Sequence, residues 1–185
     1  MAELSNTKAL VIATQRGVEQ DELEQPAAQL RVEGVRVTVA APTLEPVQSQ
    51  VRDWELGNQI TPDVALADVT SADYDLLVIP GGVLNADTLR TDENAQQIAN
   101  DFVELKKPIA SLCHGPWLLV ETGAIAGKQA TSFPSLKTDI VNAGGNWHDK
   151  ELVRCEAKDW TLITSRGPHD LPVFIQTLKD ELSAS

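Results

Sequence analysis

The chain has 185 residues, 42% of them hydrophobic, which suits one domain with a sizeable core and excludes disorder for most of its length. Its 27 acidic and 15 basic residues leave a formal charge of −12, a surface that repels phosphate backbones and anionic lipid and so argues against nucleic acid and membranes as partners. Two cysteines are too few for a disulfide scaffold, residues 1–5 do not read as a signal peptide, and no apolar run approaches the ~20 residues of a spanning helix, so a reducing cytoplasm is expected.

Residues 8–13 are a continuous apolar run, as a strand buried on both faces requires. Residues 19–33 carry Leu23, Ala27 and Leu30 at helical spacing, and Pro26 should kink this helix or start a second segment. Gly34 ends it and residues 35–40 follow as a strand, giving a βαβ unit with a right-handed crossover. Residues 47–51 read as a short strand and 54–58 as a turn, together a small hairpin-like excursion. Residues 76–79 are the clearest strand and stop at Pro80-Gly81-Gly82. A helix over 92–106, capped by Thr91, leads to a strand over 108–112 that runs straight into Cys113-His114-Gly115-Pro116. A short helix over 117–121 closes at Gly123. Beyond it come a strand over 129–132, a helix over 135–142, a strand pair at 152–155 and 160–164, and a closing helix over 171–182. Alternating strands and helices predict an open, mostly parallel α/β sandwich, with ligands at the carboxyl ends of the strands. Three loops fall there, after Ala13, Ile79 and Leu112.

Cys113 sits where an apolar strand turns directly into a helix, an arrangement like the nucleophile elbow that lifts a side chain above a sheet. Gly115 lets the backbone turn closely there. The positive end of the following helix and a neighbouring hydrogen-bond partner would both favour the thiolate. A buried structural cysteine is the plainer alternative, and it is the reading assigned to Cys155, which has no glycine or helix start beside it. His114 is adjacent in sequence, so only a strained turn could bring its ring back to the sulfur; an exposed histidine is the alternative. Gly81 and Gly82 leave backbone N–H groups at the same end of the sheet, where they could bind an oxyanion or mark a plain turn. Glu19 lies at the third loop and could share a proton with the thiol, although a solvated helix start explains the acids of residues 19–22 equally well. The three histidines are widely spaced and no phosphate-binding glycine pattern is present, so neither a metal nor a cofactor is expected.

The segments LLVIPGG (76–82) and ASLCHGP (110–116) resemble the PfpI branch of the DJ-one/PfpI superfamily, which is related to the class I glutamine amidotransferases. The likeness continues through GVE (17–19), AIAGK (124–128), TSFP (131–134), TDIVNAGG (138–145), TSRGP (164–168) and DLP (170–172). It implies a flavodoxin-like sandwich over residues 1–185, with Cys113 as elbow nucleophile, Glu19 as the acid bridging to the sulfur, Gly82 and the His114 amide as the oxyanion site, and His114 as candidate base. Members called proteases complete a triad with an acid from a neighbouring subunit shortly after the Gly-Gly pair; Asp87 is the acid available here, shorter than the family's glutamate. Phe133 stands where the DJ-one branch carries histidine, and His169 stands where many relatives carry an acid. The resemblance implies a homodimer or larger homo-oligomer acting on a small molecule or a peptide. The favoured expectation is a stress-response protein acting on reactive dicarbonyls or their adducts through a Cys113 hemithioacetal. A PfpI-type cysteine peptidase or amidase, and a non-enzymatic redox sensor or chaperone, are the alternatives.

Overall fold

A computed structural model describes residues 4–184; residues 1–3, part of the segment read as lacking a signal peptide, lie outside it. Strand β1 (Lys8–Ile12) takes an interior place in a seven-stranded sheet because Ala9–Ile12 are wholly buried and apolar on both faces. It pairs in parallel with β3 (Arg36–Ala41) on one side and β7 (Leu76–Ile79) on the other. Parallel pairing continues from β7 to β8 (Ile109–Leu112) and on to β12 (Leu162–Ser165). Strand β11 (Val153–Cys155) closes that edge antiparallel, as the expected strand pair, and β6 (Val64–Ala65) closes the other. The chain leaves β1 toward β3 on one side and enters β7 on the other, so the sheet has its topological switch between β1 and β7, where ligands of such sheets bind.

Helices cover both faces. Helix α1 (Gln20–Val32) and α6 (Leu171–Ser183) pack Leu23, Leu30, Phe174 and Leu178 into the core under one face. On the other lie α2 (Val83–Leu89), α3 (Glu93–Glu104), α4 (Trp117–Glu121) and α5 (Lys137–Asn142), with Ile98, Phe102, Leu118 and Ile140 in their core. Among the described residues no helix is long and apolar enough to cross a membrane.

Several local expectations shift. Helix α1 runs unbroken through Pro26, which lies seven residues into a 13-residue helix. The helix over 93–104 is capped by Asp92, whose carboxylate accepts the Ala95 N–H at 2.9 Å, while the Thr91 hydroxyl donates back to Thr88 O at the end of α2. Helix α2 carries no separate sequence signal and begins directly after Gly82. The excursion is a second sheet in which β4 (Val47–Val51) pairs in parallel with β2 (Arg16–Glu19) and antiparallel with β5 (Glu55–Ile60). Its turn is not at 54–58 but at Arg52 and Asp53, both left-handed with φ of +56° and +62°. Gly57 and Asn58, residues that usually mark turns, sit inside β5 instead. A third, two-stranded sheet pairs β9 (Gln129–Ala130) with β10 (Asn146–Trp147).

Candidate active site

The carboxyl ends of β1, β7 and β8 converge on Cys113. This residue has φ +57°, a left-handed conformation that costs a non-glycine residue about 1–2 kcal/mol and persists only where its surroundings enforce it. They do so from three directions. The Cys113 N–H donates to Ser165 O at 3.1 Å, its carbonyl accepts the Phe133 N–H at 2.9 Å, and the next amide but one, Gly115 N–H, closes on Leu112 O. A Cβ on Gly115 would lie 2.4 Å from Ile79 O, so only glycine passes there. The elbow expected from the strand-to-helix transition is therefore present, and it buries the thiol to 5% exposure.

The acid beside the sulfur is Glu22, not Glu19. Glu22 is fully buried, its carboxyl hydrogen-bonds the Cys113 thiol, and its Oε2 accepts the Gly81 N–H at 2.7 Å. Its Oε1 is buried and has no hydrogen-bond partner, which leaves that oxygen to carry the proton. Burial pushes the Glu22 carboxyl up to about 8, against the opposing pull of the Gly81 amide. Burial and the Glu22 charge also raise the thiol, while the amides of Gly82 and His114 point at the sulfur and lower it. Two buried acids in contact titrate as a pair. Near neutrality Glu22 keeps its proton, so the charge by which it raises the thiol is absent and its O–H can face the sulfur. Glu19 and Glu22 are both buried on the first turn of α1, but Glu19, at the N-cap, has its carboxylate taken by the Arg52 and Asp53 amides, which leaves Glu22 for the sulfur.

The oxyanion assignment is also narrowed. The Gly81 N–H is occupied by Glu22, so the donors left around the sulfur are the amides of Gly82 and His114. Gly82 has φ +85°, and a Cβ there would fall 2.0 Å from Gly17 O. Gly82→Ala is expected to lower stability by about 3 kcal/mol or more, through strain and backbone collision together, read as a fall in the thermal midpoint. An unchanged midpoint would show that the β7–α2 turn is not held in this conformation.

His114 returns to the sulfur as only a strained turn allows, with Nδ1 3.2 Å from Cys113 Sγ and the ring buried. Its Nε2 meets Ser135 Oγ at 3.3 Å, and the ring stacks on Phe133 at a centroid distance of 4.6 Å. Burial lowers its pKa, so the imidazole is neutral at pH 7, opposed by the charge of Asp53. Both ring nitrogens thus have partners within the chain, and neither is Asp87. Asp87 is exposed on α2 and lines a neighbouring cavity with Asp53, Trp54 and Trp117.

A cavity of about 370 Å³ opens above Cys113, walled by Arg52, Asp53, Trp54, Phe133 and His169. His169 is 65% exposed at its rim. Glu19 is buried beneath one wall, where it accepts the N–H groups of Arg52 at 3.1 Å and Asp53 at 3.3 Å; burial raises its pKa. Asp53 and Trp54 carried no sequence signal, because they reach the site through the turn of the second sheet. Cys155 lies on β11, where its sulfur accepts the Gln129 N–H at 3.2 Å, an arrangement that suits a structural thiol. Nearby Lys128 is buried with its ammonium hydrogen-bonded to the carbonyls of Ala157 and Trp160, and burial lowers its pKa to about 8. Among the described residues no three His, Cys, Asp or Glu side chains cluster as metal ligands.

Comparison with known proteins shows which family the chain resembles. Residues 7–181 match the model of the DJ-1/PfpI family. The chain is 37% identical to general stress protein 18 of Bacillus subtilis, over 84% of this chain and 87% of that relative. It is 34% identical to protein/nucleic acid deglycase 2 of Escherichia coli, over 91% and 94% of the two chains. Among solved structures, Drosophila melanogaster DJ-1beta superposes with a TM-score of 0.83 at 34% identity, covering 97% of this chain and 92% of that one.

Proposed function

The chain belongs to the DJ-1/PfpI family, and from that membership and the acid–thiol pair at its elbow we propose a stress-response protein that acts on reactive dicarbonyls or the adducts they leave on amines. The observation that carries the reading is the Glu22 carboxyl, protonated by burial and hydrogen-bonded to a buried thiol beneath a small cavity. Cys113 Sγ attacks the carbonyl carbon and the carbonyl π pair moves to oxygen. The amides of Gly82 and His114 receive the developing charge, and Glu22 delivers the proton that makes a hemithioacetal. Glu22, now a carboxylate, can take the proton from the carbon that bears the sulfur and return it to the adjacent former ketone carbon, while the hemithioacetal hydroxyl proton passes to the adjacent oxygen. The product is a 2-hydroxy thioester, which water hydrolyses to the hydroxy acid and free thiol. No external oxidant or reductant is needed, because one carbonyl carbon is reduced as the other is oxidised.

A PfpI-type peptidase or amidase is the second reading, favoured by His114 Nδ1 at 3.2 Å from the sulfur. It requires Asp87, or another acid, to reach His114 from a second copy of the chain. We place a homo-oligomer in the same proposal: Trp54, Leu56, Val83 and Leu84 are exposed apolar side chains around the adjoining cavities. A monomer in light scattering at micromolar concentration would remove the shared-triad peptidase and leave the dicarbonyl reading standing. The deciding experiment incubates the protein with methylglyoxal and with methylglyoxal-treated N-acetylarginine, following lactate by NMR, beside a panel of fluorogenic peptides. Lactate above the buffer rate without peptide cleavage is expected; peptide cleavage without lactate would transfer the assignment to the second reading.

A further inference from the structure

We infer that Glu19 is a positioning residue for the cavity wall: its buried carboxylate locks the Arg52–Asp53 turn and thereby sets where Asp53 and Trp54 stand over Cys113. An acid at a helix N-cap ordinarily spends its carboxylate on the first free amides of its own helix. Glu19 occupies that position on α1 yet makes no such bond. Both of its oxygens turn instead to the amides of Arg52 and Asp53, 33 and 34 residues away in the chain. These are two consecutive non-glycine residues in left-handed conformation, which costs about 1–2 kcal/mol per residue and is offset here by the two bonds to Glu19.

The same first turn of α1 holds the hairpin again. Gln20 Oε1 accepts the Asn58 N–H at 2.7 Å, and Glu24 accepts the Asn58 side-chain amide at 3.1 Å. Across the turn, Asp53 Oδ1 accepts the Val83 N–H at 2.8 Å, next to Gly82. The turn is thus pinned between α1 and the loop that supplies an oxyanion amide. Its tip carries Trp54, 89% exposed and a wall of both the Cys113 cavity and its neighbour. A tryptophan that exposed is not placed by core packing, so the turn decides where it stands. Glu19 and Glu22, one helical turn apart, divide the work: Glu22 serves the sulfur and Glu19 the surface that a substrate meets.

This inference rests on the cavity being the substrate site, but its test does not need a substrate. Alkylation of Cys113 by iodoacetamide is compared with alkylation by the bulky N-(1-pyrenyl)maleimide. Glu19→Gln is expected to change the bulky-to-small rate ratio about tenfold, as loss of a charged hydrogen bond permits, beside whatever shift in the iodoacetamide midpoint follows from removing the Glu19 charge near Glu22. Trp54→Ala should change the ratio in the same direction, and the double variant should do no more than the larger single effect. Adding Arg52→Gly to Glu19→Gln should return the ratio toward wild type, since glycine holds a left-handed turn without help. An unchanged ratio or additive effects would each overturn the assignment. Should Glu19→Gln not fold, hydrogen exchange in the wild-type protein decides: the Arg52 and Asp53 amides must be protected despite their place in a surface turn, and fast exchange would sink the proposal. Where adduct turnover is measurable, Glu19→Gln should raise KM about tenfold with a smaller change in kcat. Absence of turnover in the wild type would count against the proposed function alone.

Discussion

Cys113→Ser is expected to lower dicarbonyl or adduct turnover by about 10³-fold or more, to the rate of buffer, while Cys155→Ser changes it less than about twofold. The two residues are both buried cysteines, so burial does not separate them. Their surroundings do. Cys113 is left-handed at a strand-to-helix elbow, with a buried carboxyl, an imidazole nitrogen and two backbone amides directed at its sulfur. A serine hydroxyl there would have to ionise against the same burial from a much higher starting pKa, and Glu22 could not bring it into play. Cys155 accepts one backbone amide on an edge strand, a bond that a serine oxygen can replace for about 1 kcal/mol of stability. Lactate release and thermal melting of both variants check this together. Equal loss of activity in the two, with both folded, would mean that the elbow is not the reactive centre.

Glu22→Gln should move the pH midpoint of Cys113 alkylation upward by about one unit and simplify its shape. In the wild type, below the Glu22 value of about 8, the carboxyl is protonated and its O–H stabilises the thiolate. The glutamine oxygen must remain on the Gly81 N–H, which otherwise loses its buried acceptor, so the amide N–H is what faces the sulfur. That donor is weaker than a carboxylic O–H, and the thiolate is less favoured at each pH. Above about 8 the wild-type pair faces a second ionisation, carboxylate against thiolate, which raises the last step. The variant lacks it and should titrate as a single group. Peptide mass spectrometry resolves Cys113 from Cys155 within one sample. A midpoint that falls would mean that Glu22 acts mainly as a negative charge rather than as a proton donor.

The elbow, the Gly81-Gly82 loop and the order of strands were legible along the chain because each is written in contiguous residues. A buried parallel strand needs an unbroken apolar run, and a close turn needs glycine where a Cβ would collide, as at Gly115. The acid was legible only to within one helical turn. Glu19 and Glu22 both follow β1 and share the buried side of the first turn of α1, so periodicity does not choose between them; the choice is made by the Arg52 and Asp53 amides, which take Glu19, and by the Gly81 amide, which holds Glu22. The turn at Arg52 and Asp53 is not legible in the same way: it has no glycine or asparagine to mark a left-handed pair, and its amides are held by a carboxylate 33 residues away.

By itself, then, the amino-acid order determined the main strands, the elbow at Cys113 and the glycines around it, since these depend on hydrophobic runs and on steric limits between neighbours in the chain. Tertiary structure decided which carboxyl meets the sulfur, which amides remain free for an oxyanion, and which side chains wall the cavity. Those outcomes depend on how α1, the 47–60 hairpin and the β7–α2 loop are oriented against one another. Burial then raises the Glu22 pKa to about 8 where α1 meets Gly81 and Cys113, and no local pattern of residues encodes that environment.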